Sequence, residues 1–269
     1  MSYQYLDLDR TGHVATMTLR RPEKLNAFHR PMALEIHQAL DALEGEFPDI
    51  RVLILTGEGR GFCSGADVSG QAAGVSQPPA LESDEGDAYA RFTVSIFALA
   101  PHLAKLPQPV IAAVNGVAAG AGLGLALSSD IRLASDQARF SSIFIKRAVV
   151  PDNCASYILP ALAGMSVASE MAYTGRIYDA RWALKKGLVN SVVPAHQLME
   201  ETRSLAEEIS SNPPLAVRST KQLMSSHFPD LYQVAWAESN ANKENRDSED
   251  RREAALSFIE KRQPVFKGR

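Results

Sequence analysis

Cysteine is scarce. Two in 269 residues, Cys63 and Cys154, exclude a disulfide framework and fit a reducing compartment, so a cytoplasmic location is expected. An excess of one charge is also missing. Lys and Arg number 28 against 31 Asp and Glu, and the formal charge of −3 gives no field for nucleic acid or for an anionic membrane. A strongly apolar run is absent too. Val110–Leu127 is broken only by Asn115, but it is mostly Ala and Gly, where a span needs about 20 residues rich in Leu and Ile. At the N-terminus no basic stretch precedes an apolar core, so no secretory signal is expected. Tandem repeats are not visible.

What is there is a globular balance, 45% apolar and 22% charged, in a length that suits one large domain. Strand-like and helix-like segments alternate through the first two thirds. Tyr3–Asp7 and His13–Leu19 predict a hairpin around Asp9-Arg10-Thr11-Gly12. Pro31 opens a helical pattern with Met32, Ile36, Leu40 and Leu43 on one face. Val52–Thr56, Val110–Val114, Ile131–Ala134 and Val189–Val193 predict strands. Tyr89–Lys105, Ser166–Tyr173 and Ala180–Lys186 predict helices. Between the Val52–Thr56 strand and the Tyr89–Lys105 helix lies a loop rich in Gly, Ser and Pro, Ser69–Asp87, long enough to suggest either a functional loop or a plain surface insertion. The order favours a largely parallel sheet with crossover helices. After Val193 the pattern turns helical and, over Glu238–Glu253, highly charged, so a boundary is placed near residue 200.

Two segments share one design, a buried strand running into small residues. They are Val52–Val68, with Gly57, Gly59, Gly61 and Gly65, and Val110–Gly124, with Gly116, Gly120, Gly122 and Gly124. Small residues let a ligand approach the backbone, and the second segment ends where a helix begins, with free N–H groups facing outward. Two such segments can present two amides to one oxygen, an oxyanion hole. Close helix-on-strand packing explains the same glycines. A dinucleotide fingerprint does not, because Leu125 stands where its third glycine belongs.

Taken together, four segments resemble the crotonase (enoyl-CoA hydratase/isomerase) superfamily. They are Arg21-Pro22-Glu23-Lys24-Leu25-Asn26-Ala27-Phe28, Gly61-Phe62-Cys63-Ser64-Gly65-Ala66-Asp67, Ala113-Val114-Asn115-Gly116 with Gly120-Ala121-Gly122, and the tail Phe258–Arg269. The resemblance runs the length of the chain. It implies an α/β fold, a crotonase-like spiral of ββα units over residues 1–200, with residues 201–269 as a C-terminal helical trimerisation region. It implies a homotrimer or dimer of trimers acting on acyl-CoA thioesters, with coenzyme A part of the substrate and neither a separate cofactor nor a metal. The oxyanion amides would be those of Ala66 and Ala121, the latter tolerable as alanine if its φ is negative. Lys24 and Leu25 would lie along the pantetheine and phosphates, and Ser64, Ala66 and Val68 around the adenine side. Phe258 and Lys261 would reach the CoA from a neighbouring subunit.

One departure from the family pattern is informative. Hydratases of this family use two glutamates, which would fall at Gly124 and Phe144; neither residue here moves a proton. Asp152, just before an apolar helical run, stands where several isomerases of the superfamily keep a single Asp or Glu. Its plain alternative is an N-cap worth about 1 kcal/mol. The resemblance therefore implies an enoyl-CoA isomerase with Asp152 as the catalytic acid and base and Phe144 in its apolar surroundings. Three alternatives remain: a hydratase by general likeness, an aryl-CoA dehalogenase-like enzyme using the same Asp as nucleophile, which also wants a histidine base that His102 is near but not aligned to supply, or a non-catalytic acyl-CoA-binding protein. Asp67 and Asp130 are expected to be structural.

Overall fold

The computed structural model describes residues 3–67, 92–225, 230–245 and 248–267. Val68 and the loop Ser69–Asp87 lie outside the described residues, as does the start of the helix expected from Tyr89.

The described residues build two sheets. The larger has the order β1 (Leu6–Thr11), β2 (Val14–Leu19), β3 (Val52–Gly57), β5 (Val110–Val114), β7 (Ile131–Ser135), β10 (Ser191–Val193). β1 and β2 form the antiparallel hairpin, and every other pairing in this sheet is parallel. The smaller sheet is β4 (Gly61–Cys63), β6 (Val117–Ala119), β8 (Arg139–Ser141), β9 (Tyr178–Asp179), parallel except at its last pair. Strands of the large sheet are followed at once by strands of the small one: β3 by β4, β5 by β6, β7 by β8. Each pair then runs toward a helix, which is the ββα repetition.

Period-two packing explains why β3 reads as an unbroken apolar run. Leu53 and Leu55 enter the main core with Met17, Leu19 and Leu40, while Val52 and Ile54 face the other way, against Leu198 and Ala206. That second face is covered by α7 (Leu198–Ser210), whose Thr202 and Ser210 also lie buried. Burial of each large side chain here is worth about 1.5–3 kcal/mol. α1 (Arg30–Gly45) has Pro31 in its first turn and buries Met32, Ile36, Leu40 and Leu43.

The differences from expectation are local. Gly12, at φ 58°, and His13 make the hairpin turn, so Asp9-Arg10-Thr11 belong to the first strand and Tyr3–Tyr5 precede it. The predicted helix ending at Lys105 is not continuous. Ser95, extended at ψ 168°, accepts the N–H of Phe97 and starts a short 3-10 turn, and α2 proper is Leu99–Lys105. The three short strands β4, β6 and β8 were not expected; at three residues each they carry no readable alternation. α3 (Ala121–Leu127), α4 (Ala155–Ala163), α5 (Met165–Thr174) and α6 (Ala180–Lys185) follow in order. Beyond residue 200 the described elements are helices: α7, α8 (Pro214–Ser225), α9 (Leu231–Asn245) and α10 (Glu249–Glu260). No described helix is long and apolar enough to cross a membrane.

Candidate active site

The loop after β4 is held by the segment Arg21–Phe28. Ser64 N–H donates to Leu25 O at 3.0 Å, Phe28 N–H to Gly65 O at 2.8 Å, and Asp67 N–H to Phe28 O at 2.8 Å. This is a parallel bridge between Phe28 and Ala66. In such a bridge the residues on either side of Ala66 make the bonds, so the N–H of Ala66 itself points to the opposite edge. Around it, the Arg21 guanidinium donates to Ala27 O at 2.7 Å and to the Asp67 carboxylate at 2.9 Å. Asn26, left-handed at φ 57° and fully buried, accepts from Arg21 N–H and donates to Glu58 O and Gly61 O. Asp67 is thus structural, as expected. So is Asp130, which accepts from Val110 N–H at 2.7 Å and pairs with Lys221 at 2.8 Å.

The opposite edge meets the start of α3. Gly65 has φ +97°, and a Cβ there would lie 2.9 Å from Ala119 O and 3.4 Å from the Ala121 nitrogen, so only glycine allows this approach. Ala121 opens α3 with negative φ, and its N–H is one of the unpaired first-turn donors. Neither the Ala66 nor the Ala121 amide has an acceptor among the described residues. Two donors without an acceptor among the described residues, one on the loop after β4 and one at the start of α3, are the kind of pair that an oxyanion hole needs. Phe144 walls this place: it is buried, and its ring edge lies 3.7 Å from where a Cβ on Gly120 would sit.

The segment that carries Asp152 meets the same helix. Residues 121 and 124 are one turn apart, about 4.5 Å along the axis, and at Gly124 the chain Asp152–Asn153 packs directly on the helix. A Cβ at 124 would meet Asn153 Cβ at 2.7 Å, Asn153 O at 2.8 Å and Asp152 O at 3.1 Å. The space that a glutamate would need is filled by the backbone that carries the aspartate.

Asp152 is not an N-cap. The cap position of α4 is Cys154, left-handed at φ 62°, and the amides there are taken by Glu238 from α9: Cys154 N–H at 2.8 Å and Ser156 N–H at 2.9 Å. The Asp152 carboxylate instead accepts from the Asn153 side chain at 3.2 Å. Burial pushes its pKa up to about 7; the Asn153 bond opposes this and the Glu238 charge adds to it. Its charge also acts on the Cys63 thiol, which burial raises to about 12, next to the Ser64-Gly65-Ala66 loop.

Of the CoA candidates, Lys24, Leu25 and Ser64 come together: Lys24 is exposed, and Ser64 Oγ donates to Lys24 O at 3.1 Å. Val68 lies outside the described residues. Phe258 and Lys261 stand on or just past α10, both exposed, with the Arg147 guanidinium 3.6 Å over the Phe258 ring. His102 is engaged elsewhere, its Nδ1 2.7 Å from His37 Nδ1 and its Nε2 3.3 Å from Asp41. Among the described residues no group of three or more His, Cys, Asp or Glu is gathered as a metal would need. Sequence reasoning missed Asn153 and Glu238. An Asn beside the key Asp was a faint signal; Glu238, whose partners lie 84 and 82 residues away, gave none.

Comparison with known proteins finds matches along nearly the whole chain. The family model described as Enoyl-CoA hydratase/isomerase matches residues 9–269. The 1,2-epoxyphenylacetyl-CoA isomerase of Escherichia coli is 36% identical over 257 residues, covering 95% of each chain. The short-chain-enoyl-CoA hydratase of Clostridium acetobutylicum is 35% identical over 257 residues, covering 95% of this chain and 94% of that one. Among solved structures, a carnitinyl-CoA hydratase from Mycobacterium avium superposes with a TM-score of 0.85 at 32% identity, over 100% of both chains.

Proposed function

The chain belongs to the enoyl-CoA hydratase/isomerase family, and from that premise we propose that it is an enoyl-CoA isomerase in which Asp152 is the proton carrier. The observation that carries this reading is at Gly124. The residue there has no acidic side chain, the Asp152–Asn153 backbone fills the space beside it, and Asp152 is itself buried. With Phe144 in place of the second glutamate, the usual pair for activating water is missing and one carboxylate remains.

Isomerisation suits one carboxylate. Ionised Asp152 takes a proton from C2 of a 3-enoyl-CoA. The freed electron pair delocalises onto the thioester oxygen, giving a dienolate, and that oxygen accepts from the N–H groups of Ala66 and Ala121. Collapse of the dienolate moves the double bond from C3–C4 to C2–C3 while C4 takes the proton back from Asp152. A donor of this kind is worth about 10²–10³ in rate. Lys24, Leu25, Ser64, Val68, Phe258 and Lys261 take the CoA portion, with the last two donated across a subunit contact. Coenzyme A belongs to the substrate, and no separate cofactor enters the scheme. A reducing cytoplasm fits two free, buried cysteines. The dehalogenase-like alternative is weakened because His102 is bound between His37 and Asp41.

The test is Asp152→Asn. Conversion of a 3-enoyl-CoA to its 2-enoyl isomer, followed by chromatography, should fall by about 10²–10⁴-fold, the usual contribution of an acid–base group. Undiminished turnover would remove the assignment.

A further inference from the structure

The turn that carries Asp152 is held from the far end of the chain. α4 begins after two consecutive left-handed residues, Asn153 at φ 50° and Cys154 at φ 62°, and its own sequence supplies no side-chain cap. The missing acceptor is Glu238, which is 6% exposed and takes the Cys154 and Ser156 amides with its two oxygens. Glu238 is one of a row on α9. Leu231 O accepts from the Cys154 thiol at 3.1 Å, Ala235 is buried, and the Asn242 side chain bonds both Val150 N–H and Val150 O at 3.0 and 3.2 Å. Positions 231, 235, 238 and 242 recur at helical spacing, so one face of α9 docks on residues 150–156.

Two buried carboxylates, Asp152 and Glu238, therefore back onto one short turn, and neither has a cationic partner among the described residues. Other titratable groups near this packing, among the described residues, have partners of their own. Lys105 lies 4.3 Å over the Tyr232 ring, Lys243 lies 5.0 Å from the Trp236 ring, Arg147 lies over Phe258, and His102 is paired with His37 and Asp41. Arg251 donates to Arg147 O, Tyr157 and Asp230 stand at the ends of the facing elements, and burial keeps the thiols of Cys63 and Cys154 neutral.

We propose that Glu238 is a positioning residue for Asp152: by taking the Cys154 and Ser156 amides it fixes the turn on which the aspartate stands, and it sets a second buried carboxylate behind that turn. This rests on Asp152 being the proton carrier, and it makes the C-terminal helix α9 part of the catalytic machinery. Glu238 touches no reacting atom; it acts through the α4 amides and through its charge.

The experiment is the pH dependence of kcat/KM for 3-enoyl-CoA isomerisation. Glu238→Gln keeps one oxygen for the cap and removes the charge, so the acid limb should move to lower pH by about one unit, as for unit charges several ångströms apart in a protein interior. Glu238→Asp keeps the charge, so its limb should stay in place even if the rate falls. A Glu238→Gln limb superimposable on that of the unsubstituted enzyme would overturn the proposal. If Glu238→Gln does not fold, ¹³C-carboxyl NMR of the unsubstituted protein decides. The Asp152 resonance, assigned by its loss in Asp152→Asn, should show a second inflection as Glu238 ionises, and two independent single-step curves would overturn the coupling. Failure of the underlying reading looks different: Asp152→Asn would keep full isomerase activity whatever the NMR curves show.

Discussion

At the scale of the residue, Asp152 is the group whose chemistry its surroundings change most usefully. A carboxylate held near pKa 7 is half-ionised near neutral pH and can both take and return a proton. The same shift has a stability consequence. The folded pKa lies above the unfolded value of 3.8, so between these values the folded protein holds a proton that the unfolded chain has lost. The stabilisation from that proton is complete below about pH 4 and is lost as pH rises to about 7, at roughly 1.4 kcal/mol per unit. Asp152→Asn, which cannot ionise, should therefore raise Tm relative to the unsubstituted protein increasingly from pH 4 to pH 7 and by a constant amount above. Thermal melts across that range check this, and a Tm difference independent of pH would contradict it.

At the scale of the element, the arrangement depends on how the loop after β4 is strapped. The Arg21–Asp67 pair lies immediately beside Ala66, on the loop whose peptide aims its N–H. Asp67→Asn should lower kcat/KM by about tenfold or more by letting that amide drift, and the acid limb of the pH profile should stay where it is because Asp152 is untouched. A full rate, or a displaced limb, would contradict the strap. Much at this scale was readable. The Pro31 helix, the buried strands β3, β5 and β7, and the small-residue approach to α3 followed from period and composition. The turn at Gly12-His13 moved because cross-strand pairing through Thr11 outweighed the turn preference of Asp9. β4, β6 and β8 stayed hidden because three residues hold no periodic signal, and the cap of α4 stayed hidden because it comes from Glu238 on α9. The small-residue segments were legible locally, Asp152 was singled out through the family resemblance, and neither carried anything about the groups that hold the turn from a distance.

At the scale of the whole molecule, apolar side chains remain exposed along the end of the chain: Leu256, Phe258, Ile259, Val265 and Phe266, each 47–66% exposed. A solvated monomer rarely keeps so many together. We propose that they pack in a homotrimer or dimer of trimers, and that Phe258 and Lys261 meet the CoA of a neighbouring subunit through that contact. Sedimentation equilibrium should give three or six times 29.2 kDa, and a monomer at micromolar concentration would contradict it. The two scales meet here, because α9 sets the turn of Asp152 and α10, next in the chain, carries Phe258.

The central claim, that one aspartate carries a proton between two carbons of a thioester, is tested most directly by isotope transfer. A 3-enoyl-CoA deuterated at C2 is turned over in ordinary water, and the initial product is read by mass spectrometry and NMR. The account predicts a 2-enoyl-CoA with part of the deuterium at C4 and no water added. An initial product of 3-hydroxyacyl-CoA, with no deuterium at C4, would contradict it.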